Sequence, residues 1–279
     1  MALDPRLHPY KSDIAAAHLQ GKVEADQFVE GKPHRVTEPI TDILSDQMGE
    51  ARTSQALYGE TFTVYQTEGY WAWGQLMTDG YVGWISALSL VASDNIDATH
   101  LVSVPLTRAT NDSIKVLGNG PIPMGAQLRL SDPSISVGGS SASFAQCDAG
   151  AIPEAHLRSL DDMTSDWVDV AELFANTPYV WGGRSALGID CSALVQLALQ
   201  QAGIPCPRDS DMQEAEMGQV MERQDGLQRG DLVFWPGHVG IMLDDTTLFH
   251  ANAFAMSTVP EPLSTVEERA GAARTIKRL

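Results

Sequence analysis

The chain has 279 residues and a formal net charge of −18 at pH 7, which argues against nucleic acid or a polyanionic surface as partner. No apolar run reaches transmembrane length, so no membrane partner is expected, and the length leaves room for two or three domains. Three cysteines, Cys147, Cys191 and Cys206, form neither an even set nor a C-x-x-C pair, which disfavours a disulfide framework or a structural zinc site. The first residues, MALDPRLHPYKSD, show no apolar stretch of a secretory signal, and a reducing cytoplasm is the expected compartment.

Residues 1–34 contain one amphipathic piece, 14–29, broken by Gly21 and readable as strand or helix; no chemistry is assigned to it. From Arg35 the texture is β. Short apolar runs at 36–44, 61–66, 70–76 and 81–86 are separated by turn residues, with Thr78-Asp79-Gly80 joining the last two. A second set follows at 102–108, 113–117, 127–131 and 143–146. The sets close alike, GYVGWISALSLV against AGAIPEAHLRSL, which suggests two small barrels in tandem. Seven aromatics, Tyr58, Tyr65, Tyr70, Trp71, Trp73, Tyr81 and Trp84, crowd the first set, and most of them should fill its core. Strand alternation separates Tyr81 from Trp84, so one of the two should be less buried. Tyr81 is the better candidate for touching a ligand.

A polar linker, 160–166, leads to an amphipathic helix carrying Trp167, Val170, Ala171 and Phe174, with Pro178 as its stop. The next helix starts at Cys191. Asp190 is a plausible N-cap, and Gly203 with Pro205 ends the run. A thiol in the first turn meets the positive end of the helix dipole, which favours thiolate, and Gly182-Gly183 allow a sharp turn toward it. A small buried core residue is the alternative reading. Further on, Arg208-Asp209-Ser210 precede a short helix near 212–217, and the strands 232–235, 238–243 and 247–252 follow. If the turn is 244–246, Gly240 lies opposite His250, and His238 and His250 share one face within reach of each other. One imidazole can then take the thiol proton while the other fixes its tautomer. A Cys-His-His zinc site is geometrically possible but lacks paired ligands, so neither metal nor cofactor is expected.

The segments TPYVWGG, GIDCSALVQLAL, GIPCPRDSDMQ, RGDLVFW, HVGIML and LFHANA stand in one order over about 166–252 and resemble the NlpC/p60 family of cysteine peptidases. GYVGW closing the first β set resembles bacterial SH3 domains. The resemblance implies an α+β protein: a segment 1–34, two small all-β SH3-like barrels at 35–95 and 96–160, and a papain-like α+β catalytic domain at 161–279. It implies Cys191 as nucleophile, His238 as general base, His250 as the third, orienting group, and Tyr179 near the oxyanion. The domain order resembles γ-D-glutamyl-L-diamino-acid endopeptidases, also called dipeptidyl-peptidase VI, in which the first SH3-like domain forms part of the active-site wall. The implied substrate is a small murein peptide, L-Ala-γ-D-Glu-diamino acid. For such a peptide, Asp190 could meet the free ammonium or serve only as an N-cap. Arg208 could pair with a carboxylate or form a surface ion pair. Ser192, Asp209, Ser210 and Tyr81 are the other candidate contacts, and an acid from the first barrel could be Glu50 or Glu60, the latter more in keeping with a structural turn residue. Two positions depart from the family pattern. Ala193 stands where glycine is usual, and Arg184, where a small polar residue is usual, could contact a carboxylate but is expected at the surface. The rival readings are an amidase or acyltransferase of related fold and a non-catalytic peptidoglycan-binding protein.

Overall fold

Val36, Ile43, Ala56, Phe62, Val64, Ala72, Leu76, Tyr81 and Ile85 turn inward from successive strands and form one buried cluster. The computed structural model, which describes residues 3–47, 51–93, 98–116 and 118–279, wraps this cluster in a seven-stranded sheet. The strand order is Arg52–Leu57, Ile40–Leu44, Val82–Ser86, Trp71–Leu76, Thr61–Glu68, Lys32–Val36 and Leu90–Ala92. The single strand expected over 36–44 is two strands. Pro39 has no N–H for a ladder, and the chain changes direction there. Gly80, at φ 76°, closes the expected 78–80 turn, its N–H donating to the Leu76 carbonyl at 2.9 Å.

Tyr81 and Trp84 are both buried, at 4% and 6% exposure, contrary to the expectation that one of them would be open. Tyr81 belongs to the inner cluster, while Trp84 joins Ile14, Leu44 and Trp73 in a second cluster on the other side of the strands. The cause lies in the N-terminal segment. Its Ile14–Ala16 strand pairs in parallel with Gln27–Val29, and the Arg6 carbonyl accepts from Val82 N–H at 2.8 Å. The Lys11 ammonium stands 4.9 Å and 4.7 Å from the Trp73 and Trp84 rings. Glu60 is fully buried and accepts from Leu57 N–H at 2.7 Å, as a turn residue would; Glu50 lies outside the described residues.

The second β set has its own core of Val102, Ala109, Ile122, Ala126, Leu128, Cys147, Ala149 and Ile152. Pro105 splits the expected 102–108 strand into His100–Val102 and Leu106–Ala109. Of the expected 113–117 strand, Ser113 makes only an isolated bridge to Gly138, and Leu117 lies outside the described residues. Asn119–Pro123, Gly150–Pro153 and Leu157–Ser159 are strands that the pattern did not disclose. The repeat itself is visible in the backbone: Val82–Ser86, a 3₁₀ turn Ala87–Ser89 and Leu90–Ala92 correspond to Gly150–Pro153, a 3₁₀ turn Glu154–His156 and Leu157–Ser159.

The chain divides into two compact units, Met1–Ser159 and Leu160–Leu279. In the second, helix α1 (Trp167–Glu172) is capped by Asp166, whose carboxylate accepts from Val168 and Asp169 N–H at 2.9 Å and 3.2 Å. It ends well before Pro178, and Asn176 then takes φ 64°. The centre of the unit is an antiparallel six-stranded sheet in the order Gln219–Val220, Thr275–Arg278, Leu232–Trp235, His238–Met242, Thr247–Asn252, Ser257–Pro262. Helix α2 (Cys191–Gln201) packs on the fourth and fifth of these strands, with every residue but Gln200 buried. Helix α3 is Ser210–Glu216. Helix α4, Leu263–Ala270, sends Leu263 and Val266 into a cluster with Val233, Trp235, Met242, Leu248 and Ile276. This is the expected α+β protein: small SH3-like β structure first, a papain-like unit second. Among the described residues no helix is long and apolar enough to cross a membrane.

Candidate active site

Asp190 starts α2 and is the centre of a buried network. Its Oδ1 accepts from Ala193 N–H at 2.8 Å, from Ser192 Oγ at 3.1 Å and from Arg208 at 3.0 Å. Its Oδ2 accepts from Gly182 N–H at 2.9 Å and from Arg208 at 2.6 Å. Arg208 also donates to Ser192 Oγ at 2.8 Å and is only 1% exposed. Of the two roles open to Asp190, the N-cap of α2 is the one seen, and with a guanidinium and three further donors from the chain itself it is not a lone anion waiting for an ammonium group. The expectation of a surface ion pair for Arg208 is corrected: it is the buried partner of Asp190. Ser192 is drawn into the same network. Gly182, at φ 73°, points its N–H at Asp190 rather than toward the thiol. Arg184, expected at the surface, is fully buried and donates from Nε to Gln196 Oε1 at 3.0 Å.

The network sets Cys191 at the head of α2, buried at 6% exposure. Backbone N–H groups of Val239 and Ser192 bond to its sulfur, which places the thiol one residue from His238. Burial pushes the thiol up to about 12, with the Asp190 charge adding to the rise and Arg208 opposing it. The expected depression by the helix dipole is therefore outweighed, and the resting cysteine is a thiol. Tyr179 is half-buried near Cys191 and Asp190, and burial, followed by those two acidic groups as they ionise, raises its hydroxyl to about 12. It stays a hydrogen-bond donor at any working pH.

The hairpin has the register expected from a 244–246 turn: Ile241 pairs with Phe249 and Met242 with Leu248. Alternation then places His238, Gly240, Met242, Leu248 and His250 on one face. His238 Nε2 lies 2.8 Å from His250 Nδ1. The space at Gly240 is taken up by Leu248, whose side chain a Cβ would meet at 2.8 Å, rather than by the imidazoles. Burial, helped by His250 and Arg269, lowers His238 to about 4, so in the neutral range the ring is uncharged and open to a proton, though a weaker base than a free imidazole. With His238 Nε2 held by His250, Nδ1 is the nitrogen left for the thiol proton. The two rings bond each other, so that pair of nitrogens is not open to a zinc ion, and among the described residues no cluster of three or more His, Cys, Asp or Glu could hold a metal.

Three residues complete the face without having been singled out from sequence. Glu261 Oε2 lies 2.9 Å from His250 Nε2, Asn252 Nδ2 lies 3.0 Å from the same nitrogen, and Arg269 holds both Glu261 oxygens at 3.0 Å. The signal was hidden because STVPEP does not read as a strand. Its prolines are tolerated since Ser257–Pro262 is the edge of the sheet. Asp209 and Ser210, at the start of α3, are partly exposed close in sequence to Arg208, whereas Tyr81 is a core residue of the first barrel.

A buried thiol at a helix start, set against an imidazole pair on an antiparallel sheet, defines a papain-like cysteine peptidase. The chain is an enzyme of that class. Residues 176–269 match the NlpC/P60 family and residues 45–90 the bacterial dipeptidyl-peptidase SH3 domain, so the chain carries an NlpC/P60 domain preceded by a bacterial SH3 domain. It is 28% identical over 254 residues to a gamma-D-glutamyl-L-lysine dipeptidyl-peptidase of Bacillus cereus, covering 79% of this chain and 74% of that one. Against dipeptidyl-peptidase 6 of Lysinibacillus sphaericus it is 41% identical over 85 residues, 30% of this chain and 31% of that one. The crystal structure of an NlpC/P60 family protein from Bacillus cereus superposes with a TM-score of 0.74 at 20% identity, over 88% of this chain and 99% of the other, and shares the fold.

Proposed function

We propose that this peptidase cleaves the amide between γ-D-glutamate and an L-diamino acid in small murein peptides that begin with a free L-Ala, and does so in the cytoplasm during wall-peptide recycling. The observation that carries the reading is the Cys191 thiol beside the paired imidazoles of His238 and His250, in a chain similar to a gamma-D-glutamyl-L-lysine dipeptidyl-peptidase.

In this reading His238 Nδ1 removes the Cys191 proton as sulfur attacks the γ-carbonyl carbon. The resulting oxyanion is held by backbone N–H at the start of α2 and by the Tyr179 hydroxyl. His238 then passes its proton to the leaving amine, the C–N bond breaks, and a thioester remains. Water, deprotonated by His238, attacks the thioester, and the proton returns to sulfur as the C–S bond breaks. A neutral resting pair suits this sequence, since the proton moves only when an electrophile is in place. Asp209 and Ser210 are assigned to the charged ends of the peptide. Asp190, Ser192 and Arg208 act from behind, by holding the start of α2.

The test is product mass after incubation with L-Ala-γ-D-Glu-L-Lys, its diaminopimelate counterpart, their N-acetylated forms and intact sacculi. Release of L-Ala-γ-D-Glu from the free tripeptides, with loss on acetylation, is expected. Transfer products would indicate an acyltransferase, and retention of sacculi without cleavage a binding protein.

A further inference from the structure

Each ring nitrogen of a neutral histidine is either a donor or an acceptor, so a row of hydrogen-bonded imidazoles has a direction. The direction is decided at its far end. His250 Nε2 faces Glu261 Oε2 at 2.9 Å and Asn252 Nδ2 at 3.0 Å. A carboxylate can only accept there, whereas the amide nitrogen can only donate; Asn252 Oδ1 is already used by Ala255 N–H at 2.7 Å. The two neighbours therefore demand opposite tautomers of His250. Glu261 is ionised, because the two hydrogen bonds from Arg269 hold its carboxyl below the usual range. The charged acceptor makes the stronger bond, so His250 carries its proton on Nε2. His250 Nδ1 is then bare and accepts from His238 Nε2–H, which leaves His238 Nδ1 bare for the thiol.

We propose that Glu261 is a positioning residue for the peptidase reaction, fixing through His250 the tautomer in which His238 can act as a base. The register supports the arrangement: His250 pairs with Val259 and Leu248 with Glu261, so Glu261 and His250 are diagonal neighbours on one face. Arg269, from α4, keeps the carboxylate charged and aimed. The proposal rests on the assignment of Cys191 and His238 as the reacting pair, and its test is built to fail separately from that assignment.

Glu261→Ala leaves Asn252, among the described residues, as the hydrogen-bond partner of His250 Nε2. The row then reverses: His250 donates from Nδ1, and His238 carries its proton on Nδ1, facing the thiol. Turnover of the free tripeptide should fall about 10²-fold in kcat, with KM within about threefold, because binding is untouched. The ¹⁵N spectrum of imidazole-labelled protein should show the protonated nitrogen of His238 move from Nε2 to Nδ1. Glu261→Gln retains an acceptor oxygen, which is best placed between the His250 and Arg269 donors, and should recover most of kcat and the original tautomer. The same spectrum can be read in Cys191→Ala, which does not turn over, so the tautomer is measured independently of the reaction. An unchanged tautomer in folded Glu261→Ala, or loss of kcat equal in the Ala and Gln variants, would overturn the proposal. Activity surviving in Cys191→Ala or His238→Ala would instead overturn the functional reading.

Discussion

Replacing Arg208 by methionine removes the guanidinium from Asp190 while roughly keeping the side chain's volume. The carboxylate then lies buried with its charge uncompensated, though Gly182 and Ala193 N–H and the Ser192 hydroxyl still bond it. Breaking a buried ion pair by deleting one partner costs about 3–5 kcal/mol, and the surviving donors place the expected loss near the lower end, about 3 kcal/mol. That is a large part of a total of about 5–15 kcal/mol. Asp190→Asn in the Arg208→Met background removes the stranded charge, so the double variant should be more stable than Arg208→Met alone. Urea titrations of the four proteins, followed by circular dichroism and tryptophan fluorescence, give the cycle. A loss below about 1 kcal/mol in Arg208→Met, or a double variant destabilised by the sum of the singles, would refute the reasoning that this pair is a structural unit.

Cys191→Ala should abolish turnover, while Cys147→Ala and Cys206→Ala retain most of it, as product mass will show. With the thiol raised to about 12, alkylation of Cys191 in the resting enzyme should be slow at neutral pH and climb through the alkaline range; a plateau near pH 7 would show a preformed thiolate. His238→Ala should lower kcat by several orders of magnitude and His250→Ala by less, with His250→Asn recovering part of the loss. His238 is protonated near 6.5 when unfolded but only near 4 when folded, so the unfolded state binds more protons between these values. Stability should therefore fall as pH drops from about 6.5 to about 4, by up to about 3 kcal/mol, and His238→Gln should flatten that slope in urea titrations. For the same reason the acid limb of kcat/KM should lie near pH 4–5 rather than 6.5.

Much of the catalytic unit could be read from residue order. Asp190 before an apolar run and Gly203 after it bounded α2, and a three-residue turn at 244–246 was enough to put His238 and His250 on one face. What could not be read was burial. Helix position alone suggests a thiolate at Cys191, but the walls around it come from residues far along the chain, and desolvation reverses the sign. Arg208 and Asp190 are eighteen residues apart with no periodic link, so their pairing is a property of packing. Arg184 illustrates the same limit, since an isolated charged side chain looks exposed until a glutamine from α2 is found beside it. Glu261 was missed because prolines on both sides disguised an edge strand. In the β half, prolines at 39 and 105 broke two expected strands, and the residues that cover Trp84 lie some seventy positions earlier in the chain.

The placement of Lys11 between two indoles has a consequence for how the first barrel behaves when trimmed. Ile14, together with the backbone around Arg6 and Leu7, covers a face that carries Trp73, Trp84 and Leu44. A shortened chain beginning at the Lys32–Val36 strand would present those three side chains to water as one contiguous apolar surface. Patches of that kind drive self-association. Removing the segment that ends at Gly31 should therefore produce aggregation before any loss of chemistry at Cys191.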